Sequence, residues 1–192
     1  MTGPLHEPRP LPSGRDPDRP LVEAAQADRA AFGALYRRYL DRVYAYAFYQ
    51  LRDHHDAEDV TERVFLAALK ALPGYRQQGS TFRAWLFTIA HHTLANAHRS
   101  RSRGRTEPLP ATFERPAPDD DPAAVVARAE ELRRVLTAID RLPDDRRQVV
   151  LLRFVDGLSA REIGQVLDRS PGAVRVLLHR ALRELGEQLS PR

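Results

Sequence analysis

Arg175, Val176, His179 and Arg180 share one arc of the segment Pro171–Leu185 when each residue is turned by about 100°. Guanidinium and imidazole groups donate hydrogen bonds to base edges and phosphates, and an apolar Val176 among them suits contact with a thymine methyl. The opposite arc (Leu177, Ala181, Val174, Leu185, Leu178 and Leu182) is apolar and has to be buried. Ser170 fits the N-cap and Pro171 the first helical position, where its missing N–H costs nothing. Just upstream, Ser159 and Glu162 have the spacing of a capping box. Ile163, Val166 and Leu167 face inward, and Gly164 falls where two helices would cross closely. A short turn at Asp168–Arg169, where Asp tolerates the turn backbone, completes a helix-turn-helix whose second helix would enter a major groove. A helical hairpin with a solvated arginine face is the plainer reading of the same residues.

Two further constellations carry chemistry. In RDHHDAEDVTERVFLAALKAL, Asp56, Glu58, Asp59 and Glu62 lie along one side of a helix. They form either a solvated acidic face or an acidic, partly apolar surface that docks a basic protein. His54 and His55 beside them raise the question of a metal, but adjacent histidines point apart on a helix and no HExxH-type spacing occurs, so no metal site is expected. In STFRAWLFTIAHHTLANAHRSRSR, Phe87, His91, His98 and Arg99 share the arc opposite Trp85 and Ile89. Such a face fits single-stranded DNA, in which bases stack on rings and phosphates meet arginines. The alternative puts Phe87 against a neighbouring helix, with Trp85 in the core.

The elements that must position these groups are helical throughout. Of the 192 residues, 42% are hydrophobic, enough for one medium domain or two small ones. Residues 1–20, with six prolines and little apolar content, are expected to be a disordered tail. Phe32, Tyr36, Tyr39, Val43, Tyr46 and Gln50 recur at helical spacing, with Leu35, Tyr44, Phe48 and Leu51 on other faces, as in a central bundle helix. A second helix is expected over about 57–72, a loop over LPGYRQQGS, and a third helix from Ser80 or Thr81. Residues 104–124, rich in proline and charge without periodicity, read as a flexible linker. Beyond it, Val125, Ala129, Leu132, Val135, Leu136 and Ile139 open a second domain over 125–192, in which Pro143 ends one helix and Gly157 caps the next. The expected fold is therefore all-α, two small helical domains on a tether.

Composition narrows the function classes. The chain has no cysteine, which removes disulfides, thiolate zinc sites and thiol redox sensing. No apolar run reaches the roughly 20 residues of a membrane span, and the proline-rich start is not a signal peptide, so a cytoplasmic location is expected. A net charge of +4 and a pI near 9.8 favour an anionic partner.

The order of the pieces, DAEDVTERVFLAALKAL, STFRAWLFTIAHHTLANAHR, a linker, and LPDDRRQVVLLRFVDGLSAREIGQVLDRSPGAVRVLLHRAL, resembles the extracytoplasmic-function group of bacterial sigma factors. The resemblance runs from Leu21 to Leu189, apart from the linker. It implies a first domain (21–103) that binds the β′ clamp helices of core RNA polymerase and captures the melted minus-ten element. It implies a second domain that contacts the polymerase β flap and reads the minus-thirty-five element. Polymerase docking then falls on Asp56, Glu58, Asp59, Glu62 and Phe65. Minus-ten binding falls on Tyr75, Arg76, Gln77, Ser80, Phe82, Arg83, Trp85, His92, Asn96 and Arg99. Minus-thirty-five binding falls on Arg161, Ser170, Arg175, Val176, His179 and Arg180. Family members commonly have Asn where His92 stands, Asp where Asn96 stands, and Glu, Ser and Arg where Pro171, Val176 and Leu177 stand. The implied protein is a non-catalytic specificity subunit without cofactor or bound metal, and an anti-sigma factor is its expected regulator. The rival readings are a self-sufficient helix-turn-helix regulator and a helical metalloenzyme using His54, His55, His91 and His92.

Overall fold

The computed structural model describes residues 16–77, 79–101 and 122–190, which form helices and no strand. The N-terminal domain comprises α1 (Arg19–Ala27), a 3-10 turn (Arg29–Ala31), α2 (Phe32–Leu51), α3 (His54–Ala71) and α4 (Phe82–Arg101). The C-terminal domain comprises α5 (Pro122–Asp140), α6 (Asp144–Asp156), α7 (Ala160–Leu167) and α8 (Pro171–Leu189).

α2 is the pillar of the first domain. Leu35, Tyr39, Val43, Tyr46, Ala47 and Phe48 are all buried, covering more than one face as the sequence pattern requires of a central helix. Tyr46 meets Phe87 edge to face at 5.5 Å, so Phe87 belongs to this core and not to an exposed face. On α3 the buried stripe is Ala57, Val60, Thr61, Val64, Phe65 and Ala68, while Ala67 is exposed.

The expected tail boundary at residue 20 lies too late. Asp16 and Asp18 are buried and α1 already begins at Arg19. The Asp16 carboxylate accepts a hydrogen bond from the Phe82 amide at 2.6 Å, which otherwise has no partner at the start of α4. Asp18 accepts one from the Tyr39 hydroxyl and pairs with Arg38 at 2.9 Å. The remaining tail and most of the expected linker lie outside the described residues, and α5 starts at Pro122, inside the segment expected to be linker.

In the second domain, Leu142, Val149, Val150, Leu152, Leu158, Ile163, Val166, Val174, Ala181 and Leu185 form an aliphatic core. Gly157 ends α6 at φ 66°, as its place in the sequence predicts. The two domains pack directly, α4 against α7 and α2 against α6.

Candidate nucleic-acid interface

The helix-turn-helix forms from local chemistry. Ser159 and Glu162 make the predicted capping box, each carboxylate or hydroxyl oxygen taking a backbone N–H at the start of α7. α7 ends at Asp168 in the left-handed region (φ 52°), and the Ser170 hydroxyl then accepts the Ala173 amide to open α8. Gly164 is required for a reason different from the expected helix crossing. A Cβ there would lie 2.4 Å from the Arg169 carbonyl oxygen, so it is the turn backbone that approaches. α8 buries Val174, Leu177, Ala181 and Leu185 and leaves Arg175, Val176, His179 and Arg180 exposed on one face. Leu182, expected in the buried arc, is half in solvent.

The loop between α3 and α4 is tied down from three directions. The Gln26 side-chain amide donates to the carbonyls of Leu72 and Tyr75, both at 2.9 Å. Arg76 donates to the carbonyls of Pro73 and Tyr75 at 3.0 Å, so its guanidinium serves the loop's own backbone. Tyr75, Phe82 and Trp85 pack as a ring cluster with centroids 4.9 to 5.9 Å apart, Phe82 fully buried and Trp85 half-buried. Gln77 is exposed and Ser80 half-buried. Further along α4, His92 and Asn96 are exposed, whereas His91 is half-buried and its pKa lies below the usual value because of burial and the neighbouring His92. The side chain of Arg99 lies outside the described residues.

Arg83, one of the expected strand-binding residues, is turned toward the other domain. Its Nη2 stands 2.9 and 2.7 Å from the two carboxylate oxygens of Glu162, and its Nη1 donates to the Asp156 carbonyl at 3.2 Å. Thr81 donates to Glu162 at 2.7 Å, and Gln165 donates to the Gly79 carbonyl at 2.9 Å. Arg42 of α2 pairs with the buried Asp156 at 2.9 Å. Burial holds the Asp156 carboxyl up at about 6, even though Arg83 and Arg42 act to lower it. At Glu162 burial acts in the same direction but is outweighed by hydrogen bonds from Thr81, Arg83 and Ser159, so its pKa falls. None of Arg42, Asp156 or Asp16 was singled out from sequence. A signal was present for Asp156, because a carboxylate in the last turn of a helix opposes the helix dipole and calls for a nearby cation.

Glu58 and Glu62 of α3 border an apolar groove of about 380 Å³ between α2 and α3, lined by Phe32, Tyr36, Leu40, Tyr44, Phe65 and Leu66. Glu58 and Glu62 are exposed, and Phe65, expected as a docking residue, is 5% exposed against Phe32 and Tyr36. Asp59 pairs with Arg63 at 3.2 Å, and Asp56 sits in the first turn of α3. His54 is bonded to the Tyr44 hydroxyl at 2.7 Å and packed on Phe48 at 4.5 Å, a structural use of that ring.

A helical bundle joined to a helix-turn-helix with an exposed cationic reading face defines a two-domain DNA-binding protein. The family model for sigma-70 region 2 matches residues 35–104, and that for sigma-70 region 4 matches residues 132–185. This chain belongs to the extracytoplasmic-function sigma factors of RNA polymerase. It is 38% identical over 88% of its length to the sigma factor BldN of Streptomyces coelicolor, and it spans 64% of that protein. It is 35% identical over 90% of its length to SigD of Mycobacterium tuberculosis, covering 83% of that chain. Among solved structures it is similar to CnrH, determined in complex with the cytosolic domain of CnrY. That match has 29% identity and a TM-score of 0.67, and covers 90% of this chain and 96% of that one.

Proposed function

We propose that this chain is a promoter-specificity subunit that directs core RNA polymerase and has no catalytic chemistry of its own. The observation that carries this reading is the presence on one chain of two separate groups of cationic and aromatic residues, one on each domain. One is the exposed Arg175–Val176–His179–Arg180 face of α8, assigned to the minus-thirty-five duplex together with Arg161 and Ser170. The other is the loop and first turns of α4, with Tyr75, Arg76, Gln77, Ser80, Phe82, Arg83 and Trp85, assigned to the opened minus-ten strand, with His92, Asn96 and Arg99 further along the helix. Extruding a base costs a few kcal/mol of unstacking, which stacking of roughly 1–3 kcal/mol per base offsets.

Glu58, Glu62 and Phe65 of the α2–α3 groove, with Asp56 and Asp59 elsewhere on α3, form the docking surface for the β′ clamp helices, and the C-terminal domain meets the β flap. CnrH was solved in complex with the cytosolic domain of CnrY, which supports a protein partner for this chain as well, and an anti-sigma factor is the partner proposed. No described helix is long and apolar enough to cross a membrane, in keeping with action on cytoplasmic polymerase.

In vitro transcription over a promoter library, with and without core polymerase, tests the reading. Core-dependent transcripts sharing a two-part promoter motif are expected. Tight binding to promoter duplex by the chain alone, without core-dependent transcription, overturns it in favour of a self-sufficient regulator.

A further inference from the structure

We propose that Arg42, Thr81 and Arg83 form one oxyanion receptor for a phosphodiester of single-stranded DNA, which the C-terminal domain fills with Asp156 and Glu162 while the domains are closed. The proposal rests on the reading of the α4 start as the strand-capturing surface. It adds Arg42 to that surface and gives it an internal competitor.

The geometry is that of an anion site already occupied. Guanidiniums from two different helices and a hydroxyl at the start of α4 converge on two carboxylates of the other domain. Every nitrogen of Arg83 is directed at them or at the Asp156 carbonyl: Nη2 at Glu162, Nη1 at the carbonyl, and Nε at 3.4 Å from Asp156 Oδ2. The rings needed by a nucleic acid strand adjoin the same cations. Arg42 lies 5.7 Å over the Tyr39 ring, Tyr39 packs on Phe82 at 5.8 Å, and Phe82 on Trp85 at 5.4 Å. Tyr39 and Phe82 are buried and support the half-buried Trp85, which is the ring of this row that a base of a single strand could meet beside the cations.

The two carboxylates differ in a way that points to exchange. Glu162 has work inside its own domain, because it caps α7 with or without Arg83. Asp156 has none: its side chain is wholly buried at the C-terminal end of α6, facing the partial negative charge of that helix end. Among the described residues its carboxylate is compensated only by Arg42 and Arg83 of the other domain, and its Oδ2 has no hydrogen bond. A carboxylate so placed serves the junction. When the domains part, Asp156 regains water, and both arginines are left open to another oxyanion beside the stacking rings.

The test uses the full-length chain and a fluorescently labelled single-stranded DNA oligonucleotide of mixed sequence, with affinity measured across a salt series. D156N/E162Q empties the receptor of charge while keeping the capping box, which accepts Gln as well as Glu. It should bind the oligonucleotide about tenfold more tightly than the parent chain, the worth of one recovered charge-assisted contact. Adding Arg42→Ala should abolish the gain and flatten the log–log salt dependence by about 0.7, the value of one lost phosphate contact on a single strand. Absence of the gain, or a gain and slope that survive Arg42→Ala, overturns the receptor. If circular dichroism shows that the double variant loses helix, Asp156→Asn alone, with Ser159–Glu162 intact, carries the same expectations in the same direction. Trp85→Ala on the same background reports on the strand-capturing surface itself. Affinity lost with Trp85→Ala but not with Arg42→Ala overturns the receptor and spares that surface. Affinity lost with neither overturns both.

Discussion

The two surfaces assigned to promoter DNA are built in opposite ways. In the C-terminal domain the reading residues stand off the core: Arg175, Val176, His179 and Arg180 are exposed, while Val174, Leu177 and Ala181 of the same helix do the packing. In the N-terminal domain the readers are themselves the packing. Phe82 is fully buried among Tyr39, Tyr75 and Trp85, Tyr75 is buried, and Arg83 is locked to the other domain. Stability and recognition are therefore separable at the recognition helix and entangled at the start of α4. The first surface is exposed in the closed chain, and Arg83 of the second is held by Glu162 of the other domain.

The strongest break of this contrast is Phe82→Ala. It should destabilise the N-terminal domain by about 3–5 kcal/mol, read as a fall in denaturation midpoint. An unchanged midpoint would show that the ring is a free reader. Gly164→Ala comes next, since a Cβ 2.4 Å from a carbonyl oxygen forces the turn apart. A loss of about 1–3 kcal/mol, with loss of duplex binding, is expected in thermal unfolding and gel-shift experiments.

Arg175→Ala should leave unfolding unchanged while altering minus-thirty-five discrimination by about 1–3 kcal/mol if it meets a base edge. Uniform weakening across sequences would reassign it to phosphate. Val176→Ala is the smallest of the substitutions, within about 0.5 kcal/mol in stability, with its effect confined to thymine-containing half-sites.

The junction adds a pH dependence of defined sign. Asp156 has a folded value of about 6 against an ordinary 3.8, so its protonated form favours the folded chain. Its contribution is full below the ordinary value and is lost as pH rises through 6. Arg42, Arg83, Glu162 and Tyr39 are the charged or titratable groups facing it. Glu162, depressed, gives the opposite slope below its ordinary 4.5, and His91, lowered, gives the opposite slope below its ordinary 6.5. The informative quantity is thus the difference in urea midpoint between the parent chain and Asp156→Asn. That difference should move steadily against the parent as pH rises from 4 to 6. Parallel curves would remove Asp156 from the account.

Local signals carried most of the fold. The capping box, the Gly157 stop, the Ser170–Pro171 start and the helical periodicities are short-range devices that a sequence displays directly. The recognition face was legible for the same reason, since one amphipathic helix determines both its buried and exposed arcs. What was not legible depends on contacts between distant segments. Asp16 reaches Phe82, and Arg42 reaches Asp156, across separations that no periodicity encodes. The choice between the two readings of Phe87 needed the structure, because α4 is enclosed on several sides, where a single apolar stripe ceases to define the inside. The linked placement of Arg83 and Glu162 required the two domains to be seen together. From sequence alone, Glu162 was only a cap.

If Arg42 and Arg83 serve the minus-ten strand as proposed, its capture requires the C-terminal domain to leave α4. The chain has no cysteine, so a pair introduced at the exposed Glu23 and Glu187 takes a donor and an acceptor dye cleanly. Energy transfer should fall from the free-chain value in D156N/E162Q, and fall further once core polymerase and promoter DNA are added. Transfer that stays at the free-chain value in a complex actively making transcript would contradict the claim.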